Sequence, residues 1–159
     1  MRILGIDPGS HNTGYGVIDK EGNYLKQIIY GEIKPRKGVG LSGVLIEIYR
    51  RLAEVIEKEK PEAIALENIF YGKNVRSLIR QAQVRGVAIF SGADRNIPIF
   101  EYSPLEIKKA VVGYGRAEKR QVQAMVKAIL KLPVLPPADA ADALAVAICH
   151  ANFFKGATM

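Results

Sequence analysis

The chain has 159 residues and a mass of 17.4 kDa, with 48% hydrophobic and 25% charged residues. This ordinary globular composition excludes collagen, coiled-coil and disordered chains, and the length suffices for one domain, residues 1–159, with its own core. One Cys and two His exclude a disulfide framework and a zinc finger. No stretch reaches the ~18 apolar residues of a membrane span and no signal peptide opens the sequence, so we expect a cytoplasmic protein without a membrane partner.

The first third of the chain predicts three strands followed by a helix. Short apolar runs bounded by turn residues predict the strands, and a short turn between the second and third runs makes them a hairpin. After a linker rich in Pro and Gly, apolar residues recur at helical spacing. These predicted elements are the strands Arg2–Asp7, Gly14–Asp19 and Tyr24–Lys34, and a helix from Leu41 to Ile56.

The remainder of the chain predicts helices alternating with two more strands. The second helix carries an apolar stripe interleaved with polar residues, and it could serve an interface with a second chain or with another macromolecule. The stripe consists of Val75, Leu78, Ile79, Ala82, Gly86 and Phe90. The predicted elements are the strands Ala63–Glu67 and Ile97–Tyr102, and helices over Asn74–Asp94, between Ser103 and Gly113, over Ala117–Lys131 and over Asp139–Phe153.

This order of elements predicts an α/β fold. An antiparallel three-strand meander followed by two strand–helix–strand crossovers gives a five-stranded mixed sheet with helices packed on its faces. Since such crossovers are right-handed, we expect the fourth strand to lie parallel beside the first.

The net charge of +7 is concentrated in one part of the chain. Residues 69–131 contain 12 basic and 4 acidic residues, whereas the rest contains 11 basic and 12 acidic residues. A contiguous basic block is what a surface that neutralises phosphates requires, so the charge indicates nucleic-acid binding. The alternative is a set of solvated lysines of the kind enriched in heat-adapted proteins.

Four acids stand where the predicted elements are most apolar. Asp7 and Glu67 end two strands that we expect to be parallel neighbours, about 5 Å apart at one sheet edge. Asp139 and Asp142 lie three residues apart on one face of the last helix. Clustered carboxylates suit Mg²⁺ or Mn²⁺, and two such ions about 3.5–4 Å apart drive in-line phosphodiester displacement. The four acids therefore predict a two-metal nuclease site.

Each acid also has a structural alternative. Asp139 could be an N-cap, with Asp142 completing a capping box. Asp7 could accept turn hydrogen bonds before Pro8, and Glu67 could pair with a nearby basic residue.

Several motifs, in order over nearly the whole chain, carry a resemblance to a known family. They are Gly5–Gly9, Thr13–Ile18, Glu67 with Ile69 and Phe70, Arg85–Ile89, Val111–Gly113, Ala117–Lys119 and Ala138–Ala145. Together they resemble the RuvC family of crossover junction endodeoxyribonucleases, members of the RNase H-like superfamily.

The resemblance implies an RNase H-like fold and a homodimer that nicks two opposing strands of four-way (Holliday) DNA junctions during recombination and repair. It further implies two Mg²⁺ ions per active site, with Mn²⁺ as a substitute, and partnership with the RuvA–RuvB branch-migration complex. Asp7, Glu67, Asp139 and Asp142 match the family's catalytic, metal-binding acids. Some members carry His at the position of Asp142, so an all-carboxylate site is expected here.

The resemblance and the charge pattern also assign DNA contacts. Phe70 matches a loop aromatic that wedges against bases at the junction centre, and Tyr71 follows it. Lys108 and Lys119 match basic residues that meet phosphates near the scissile bond. Lys73, Arg76 and Arg80 are candidates by charge and helix position.

Three other functions are compatible with parts of the pattern. A ribonuclease that cuts RNA in RNA–DNA hybrids would use the same scaffold. An actin-like nucleotide phosphatase shares the Asp-x-Gly opening, but no Gly-rich adenosine loop is evident. A structure-selective DNA-binding protein without catalysis would need the acids only for structure.

Overall fold

A mixed sheet of five strands lies at the centre of the computed structural model, which describes residues 1–69, 72 and 74–154. The strand order is β3-β2-β1-β4-β5; β1 to β3 are antiparallel neighbours, whereas β4 is parallel to β1 and β5 to β4. The strands are β1 (Arg2–Pro8), β2 (Thr13–Glu21), β3 (Tyr24–Ile33), β4 (Ala63–Glu67) and β5 (Ile99–Tyr102). The predicted α/β fold and the place of the fourth strand beside the first are confirmed.

The strand boundaries follow from local backbone chemistry. β2 and β3 are joined by a two-residue turn in which Gly22 has φ of +60°, a conformation that favours glycine. β5 begins two residues later than predicted, because the Ile97 N–H donates to the Gly92 carbonyl and Pro98 has no N–H to donate.

Five helices are described, and their bounds agree with the sequence to within two residues at most ends. As predicted, Ser103 caps the third helix and Gly113 ends it with φ of +96°; Ser103 also forms a capping box with Glu106. The next helix begins at Lys119 rather than Ala117, because the Glu118 N–H is satisfied by the Gln121 side chain. None of the helices in the described residues has the length and apolar character needed to cross a bilayer. The helices are α1 (Gly40–Glu59), α2 (Val75–Ala93), α3 (Pro104–Val112), α4 (Lys119–Ile129) and α5 (Ala138–Phe153).

The helices cover both faces of the sheet and bury two apolar cores. Successive β1 residues point to opposite faces, so that Ile3 joins one core and Leu4 the other. α5 lies in the first core with α3 and α4, and α1 and α2 enclose the second. The central strands are therefore buried on both sides, which fixes the position of their ends.

Glycines in the central strands let α5 approach the sheet closely. A Cβ at Gly5 would overlap the carbonyl of Ala143, and a Cβ at Gly14 would overlap the carbonyl of Asp139. The backbone of α5 therefore lies directly against β1 and β2, and its first turns are held at the end of β1.

The apolar stripe of α2 faces away from the sheet. Val75, Ile79 and Phe90 are each more than half exposed. The residues of α2 that are buried instead are Val84, Ala88, Ser91 and Gly92. The stripe predicted from the sequence therefore marks a solvent-facing surface of this chain.

Candidate active site

Three of the four predicted acids converge at the end of β1. Asp7, Asp139 and Asp142 each offer a carboxylate oxygen, and these three oxygens lie within 4.8 Å of one another. Asp7 comes from β1, whereas Asp139 and Asp142 lie one turn apart at the start of α5. Three carboxylates at this separation form a set of hard oxygen donors, which fits Mg²⁺ or Mn²⁺.

Glu67 lies beside this group on the neighbouring strand. Glu67 is the last residue of β4. The residue before it, Leu66, pairs with Ile6 of β1, so Glu67 lies next to Asp7 in the sheet. Within the described residues Glu67 falls outside the 4.8 Å group. It lines a groove together with Asp142, Lys108 and Lys119, so it forms the edge of the same acidic pocket.

Burial and the charges of neighbouring acids raise the pKa of Asp7, Glu67 and Asp142. Burial, together with the charges of Asp142, Asp139 and Glu67, raises the pKa of Asp7 to about 8. Burial is also the largest cause that raises the pKa of Glu67 and of Asp142. The pocket therefore carries more carboxylates than it can keep ionised at neutral pH, unless a cation joins them.

Two lysines face the acids across the groove. The Nζ of Lys119, the first residue of α4, lies 3.2 Å from Asp142 Oδ2, while 65% of the Lys119 side chain is exposed. The charge of Asp142 raises the pKa of Lys119. Lys108 of α3 lines the groove, and its charge opposes the rise in the pKa of Glu67. Both predicted phosphate contacts are thus brought to the acidic pocket.

The structural alternatives for the acids find no support. The capping-box interpretation is wrong, because Asp139 lies inside α5, which starts after Pro137 without a side-chain cap bond in the described part of the chain. Asp7 pairs with Gly14 in the strand ladder and is not a turn residue. Within residues 1–69, 72 and 74–154, Glu67 has no basic side chain within 4.0 Å.

Two of the remaining predicted DNA contacts, Arg76 and Arg80, lie in α2. Arg76 is exposed on the first turn of α2. Arg80, one turn further along, is half-buried and lines a cleft with His11 and Lys37, beside the turn that follows β1. Its Nε is buried without a hydrogen-bond partner among the described residues. Phe70, Tyr71 and Lys73 lie outside the described residues.

One further acid at the site has no recognisable signal in the sequence. Glu32 of β3 lies opposite Gly14, and its Oε1 accepts a hydrogen bond of 3.3 Å from the Asp139 N–H. Its Oε2 lies 3.4 Å from the Nζ of Lys34. The contact joins residues 107 positions apart, so only the tertiary fold reveals it.

A sheet of this order, with an acid on its central strand and two more on a helix packed across it, defines an RNase H-like nuclease. The family model described as "Crossover junction endodeoxyribonuclease RuvC" matches residues 3–150. The chain belongs to this RuvC family, and it is therefore a nuclease of the hydrolase class.

Individual relatives agree with the family assignment. A crossover junction endodeoxyribonuclease RuvC from Geotalea uraniireducens (strain Rf4) is 53% identical over 152 residues, which cover 96% of this chain and 89% of the relative. The structure of T. thermophilus RuvC in complex with Holliday junction substrate superposes with a TM-score of 0.91 at 30% identity, covering 96% of this chain and 94% of the other. The yeast mitochondrial Holliday junction resolvase Ydc2, at 16% identity and a TM-score of 0.67, shares the fold. The resemblance seen in the sequence is confirmed.

Proposed function

We propose that this chain is a divalent-metal-dependent endonuclease that resolves four-way DNA junctions by paired, symmetric nicks in opposing strands. The observation that carries the proposal is the convergence of Asp7, Asp139 and Asp142 within 4.8 Å in a chain of the RuvC family. The relative from T. thermophilus was solved with a Holliday junction, which supports the same substrate here. Such a substrate implies a role in recombination and repair, in the cytoplasm.

Asp7, Asp139 and Asp142, with Glu67 at their edge, would hold two Mg²⁺ ions, for which Mn²⁺ can substitute. When bound, such ions activate the attacking water and stabilise the leaving oxygen of an in-line displacement. The fit rests on the donor chemistry, because the group found among the described residues consists of carboxylate oxygens, and because their shared pocket raises the pKa of Asp7 to about 8, which a cation would reverse.

Lys119 and Lys108 would bind the scissile phosphate. The Lys119 ammonium partly neutralises Asp142. The Lys119 side chain is nevertheless largely exposed, so that it can turn toward a phosphate in the groove. Lys108 lines the same groove opposite Glu67. Both ammonium groups can therefore stabilise negative charge on a phosphate oxygen that lies next to the acids.

The DNA would extend from this groove over the basic block. The cleft of Arg80 and Lys37 lies beside the β1–β2 turn, where His11 is four residues from Asp7. Arg76 lies one turn before Arg80 on α2. Of the described residues, three basic side chains and no acidic one line that cleft. Phe70, Tyr71 and Lys73 stay predictions: an aromatic in this loop would stack on an unpaired base, worth about 1–3 kcal/mol.

We further propose that residues 1–159 act as one nuclease domain, as a homodimer, with RuvA–RuvB as a partner complex. Two symmetric nicks need two active sites, and a homodimer supplies them in a fixed relation. The exposed apolar stripe on α2 supports the dimer, because large exposed apolar patches mark protein interfaces.

The proposal is tested by cleavage of a synthetic mobile four-way junction with Mg²⁺, Mn²⁺ or Ca²⁺, with product ends mapped on both strands. We expect paired nicks with 5′-phosphate and 3′-hydroxyl ends. Asp7→Asn and Glu67→Gln should lower the cleavage rate by a factor on the order of 10² or more while junction binding is retained. Asp19→Asn is the matched control, since Asp19 pairs with Arg2 at the opposite end of β1.

Three outcomes would contradict the proposal. Cleavage of an RNA–DNA hybrid without cleavage of the junction would favour the ribonuclease alternative. Full cleavage by Asp7→Asn would show that Asp7 is not a catalytic acid, and junction binding without cleavage by the unsubstituted protein would favour a binding protein whose acids serve structure.

A further inference from the structure

The start of α5 depends on an acceptor from another element. The first N–H groups of a helix have no partner within the helix and need acceptors from elsewhere. α5 follows Pro137, and in the described residues no side chain of its own caps it. The Asp139 N–H instead donates to Glu32 Oε1 of β3. A carboxylate at this place is also favoured by the helix dipole.

Glu32 is itself firmly held. Its side chain is 13% exposed, and its second oxygen faces the Nζ of Lys34 at 3.4 Å. In the sheet Glu32 pairs with Gly14, and Gly14 pairs with Asp7, so one row across three strands connects Glu32 to the acid of β1.

Glu32 and Gly14 locate Asp139 from two directions. Gly14 admits the Asp139 carbonyl to the sheet, since any Cβ at this position would overlap it. Glu32 accepts the N–H of the same residue. The position of Asp139 therefore depends on Glu32 at its N–H and on Gly14 at its carbonyl. Asp139 lies in the helical turn that brings Asp139 and Asp142 to Asp7.

We infer that Glu32 is a positioning residue for the nuclease: it holds Asp139 in place by accepting its backbone N–H, so that the carboxylates stay close enough to bind metal. The inference rests on the proposed metal site. Partners that orient metal ligands from behind change metal affinity by about 10–100-fold when they are removed. Among the described residues Glu32 lies outside the group of three carboxylates, so it would act through Asp139.

The test compares Glu32→Val, which keeps a strand-forming residue but removes the acceptor, with Glu32→Gln, whose side-chain oxygen can still accept. Binding of Mn²⁺ alone is measured by electron paramagnetic resonance of the free ion, without DNA. We expect Glu32→Val to weaken Mn²⁺ binding about tenfold and Glu32→Gln to stay within about threefold of the unsubstituted protein. In junction cleavage, Glu32→Val should require more Mn²⁺ while its KM for the junction changes little.

Asp19→Asn is again the control, because it removes a partly buried ion pair of the same sheet at its other end. It should leave Mn²⁺ affinity unchanged even if it lowers stability. Unchanged Mn²⁺ affinity in Glu32→Val, or equal losses in Glu32→Val and Glu32→Gln, would overturn the inference. Failure of the unsubstituted protein to cut junctions would refute the proposed function instead, because the Mn²⁺ comparison needs no cleavage.

Discussion

Asp7 is the acid of the site that its surroundings restrict most, and it is also the acid that lowers the stability of the fold most. Asp7 is sheltered at the end of a buried strand and lies beside three further acids. Its burial and the charges of these acids together raise its pKa to about 8. In the unfolded chain the same carboxyl has its ordinary pKa of 3.8. An acid whose pKa is higher in the folded state destabilises the fold wherever the unfolded chain is already ionised.

Asp7→Asn should therefore stabilise the metal-free protein in a pH-dependent way. Between about pH 4 and pH 8 the unfolded chain binds fewer protons at this position than the folded chain, so the contribution of Asp7 to stability falls as pH rises. In urea unfolding with a chelator, the variant should equal the parent near pH 3 and exceed it increasingly toward pH 8, where the difference is on the order of several kcal/mol. Excess Mn²⁺ should stabilise only the parent. A difference in the free energy of unfolding that does not depend on pH would show that the surroundings of Asp7 do not raise its pKa.

At the scale of the elements, the close contact of α5 with the sheet brings the acids together. Gly14→Ala should separate them, because its methyl group would overlap the Asp139 carbonyl and lie 3.0 Å from the Ala140 nitrogen. Such overpacking costs about 1–3 kcal/mol. The free energy of unfolding and Mn²⁺ affinity should both fall. Gly72→Ala is the control, since no heavy atom of the described residues lies within 4 Å of a Cβ at that position. A variant with lower stability but normal Mn²⁺ affinity would argue against this coupling.

The sequence predicted the elements that carry the acids because each has a strong local signal. Asp7 and Glu67 follow short apolar runs, and Asp139 and Asp142 open an apolar helix after three prolines. Topology then required only that β4 lie beside β1, which the handedness of crossovers supplied.

The orientation of α2 had no comparable signal. Its sheet-facing side is built from small residues such as Ala88, Ser91 and Gly92, and a Cβ at Gly92 would overlap the Ile64 side chain. Hydrophobic periodicity detects large apolar residues, so it identified the outer stripe instead. Glu32 was not predicted for a related reason. A single acid in a strand has no local signal, and its role is visible only once the fold brings a distant helix end into contact with it.

At the scale of the whole molecule, the outer surface of α2 is notable because its apolar residues remain exposed in the single chain. The α2 stripe adjoins Ile46 and Tyr49 of α1, and the groove between the two helices is lined almost entirely by apolar atoms. Tyr49 and Phe90 contact each other there, with ring centroids 6.0 Å apart. A second copy of this chain would bury this surface and place two acidic pockets on one particle.

Ile79→Arg and Phe90→Arg should therefore convert a dimer into monomers. Both side chains are more than half exposed, so the substitutions leave the core intact while they place charges in the interface. We expect sedimentation to give the mass of one chain, and a plasmid with an extruded cruciform to yield nicked circles in place of linear product. Val134→Arg is the control, because Val134 is 60% exposed in the loop before α5, away from α1 and α2. Since neither Ile79 nor Phe90 belongs to the acidic pocket among the described residues, Mn²⁺ affinity should be retained in every variant. Dimers that persist in both α2 variants would show that the chain pairs through another surface.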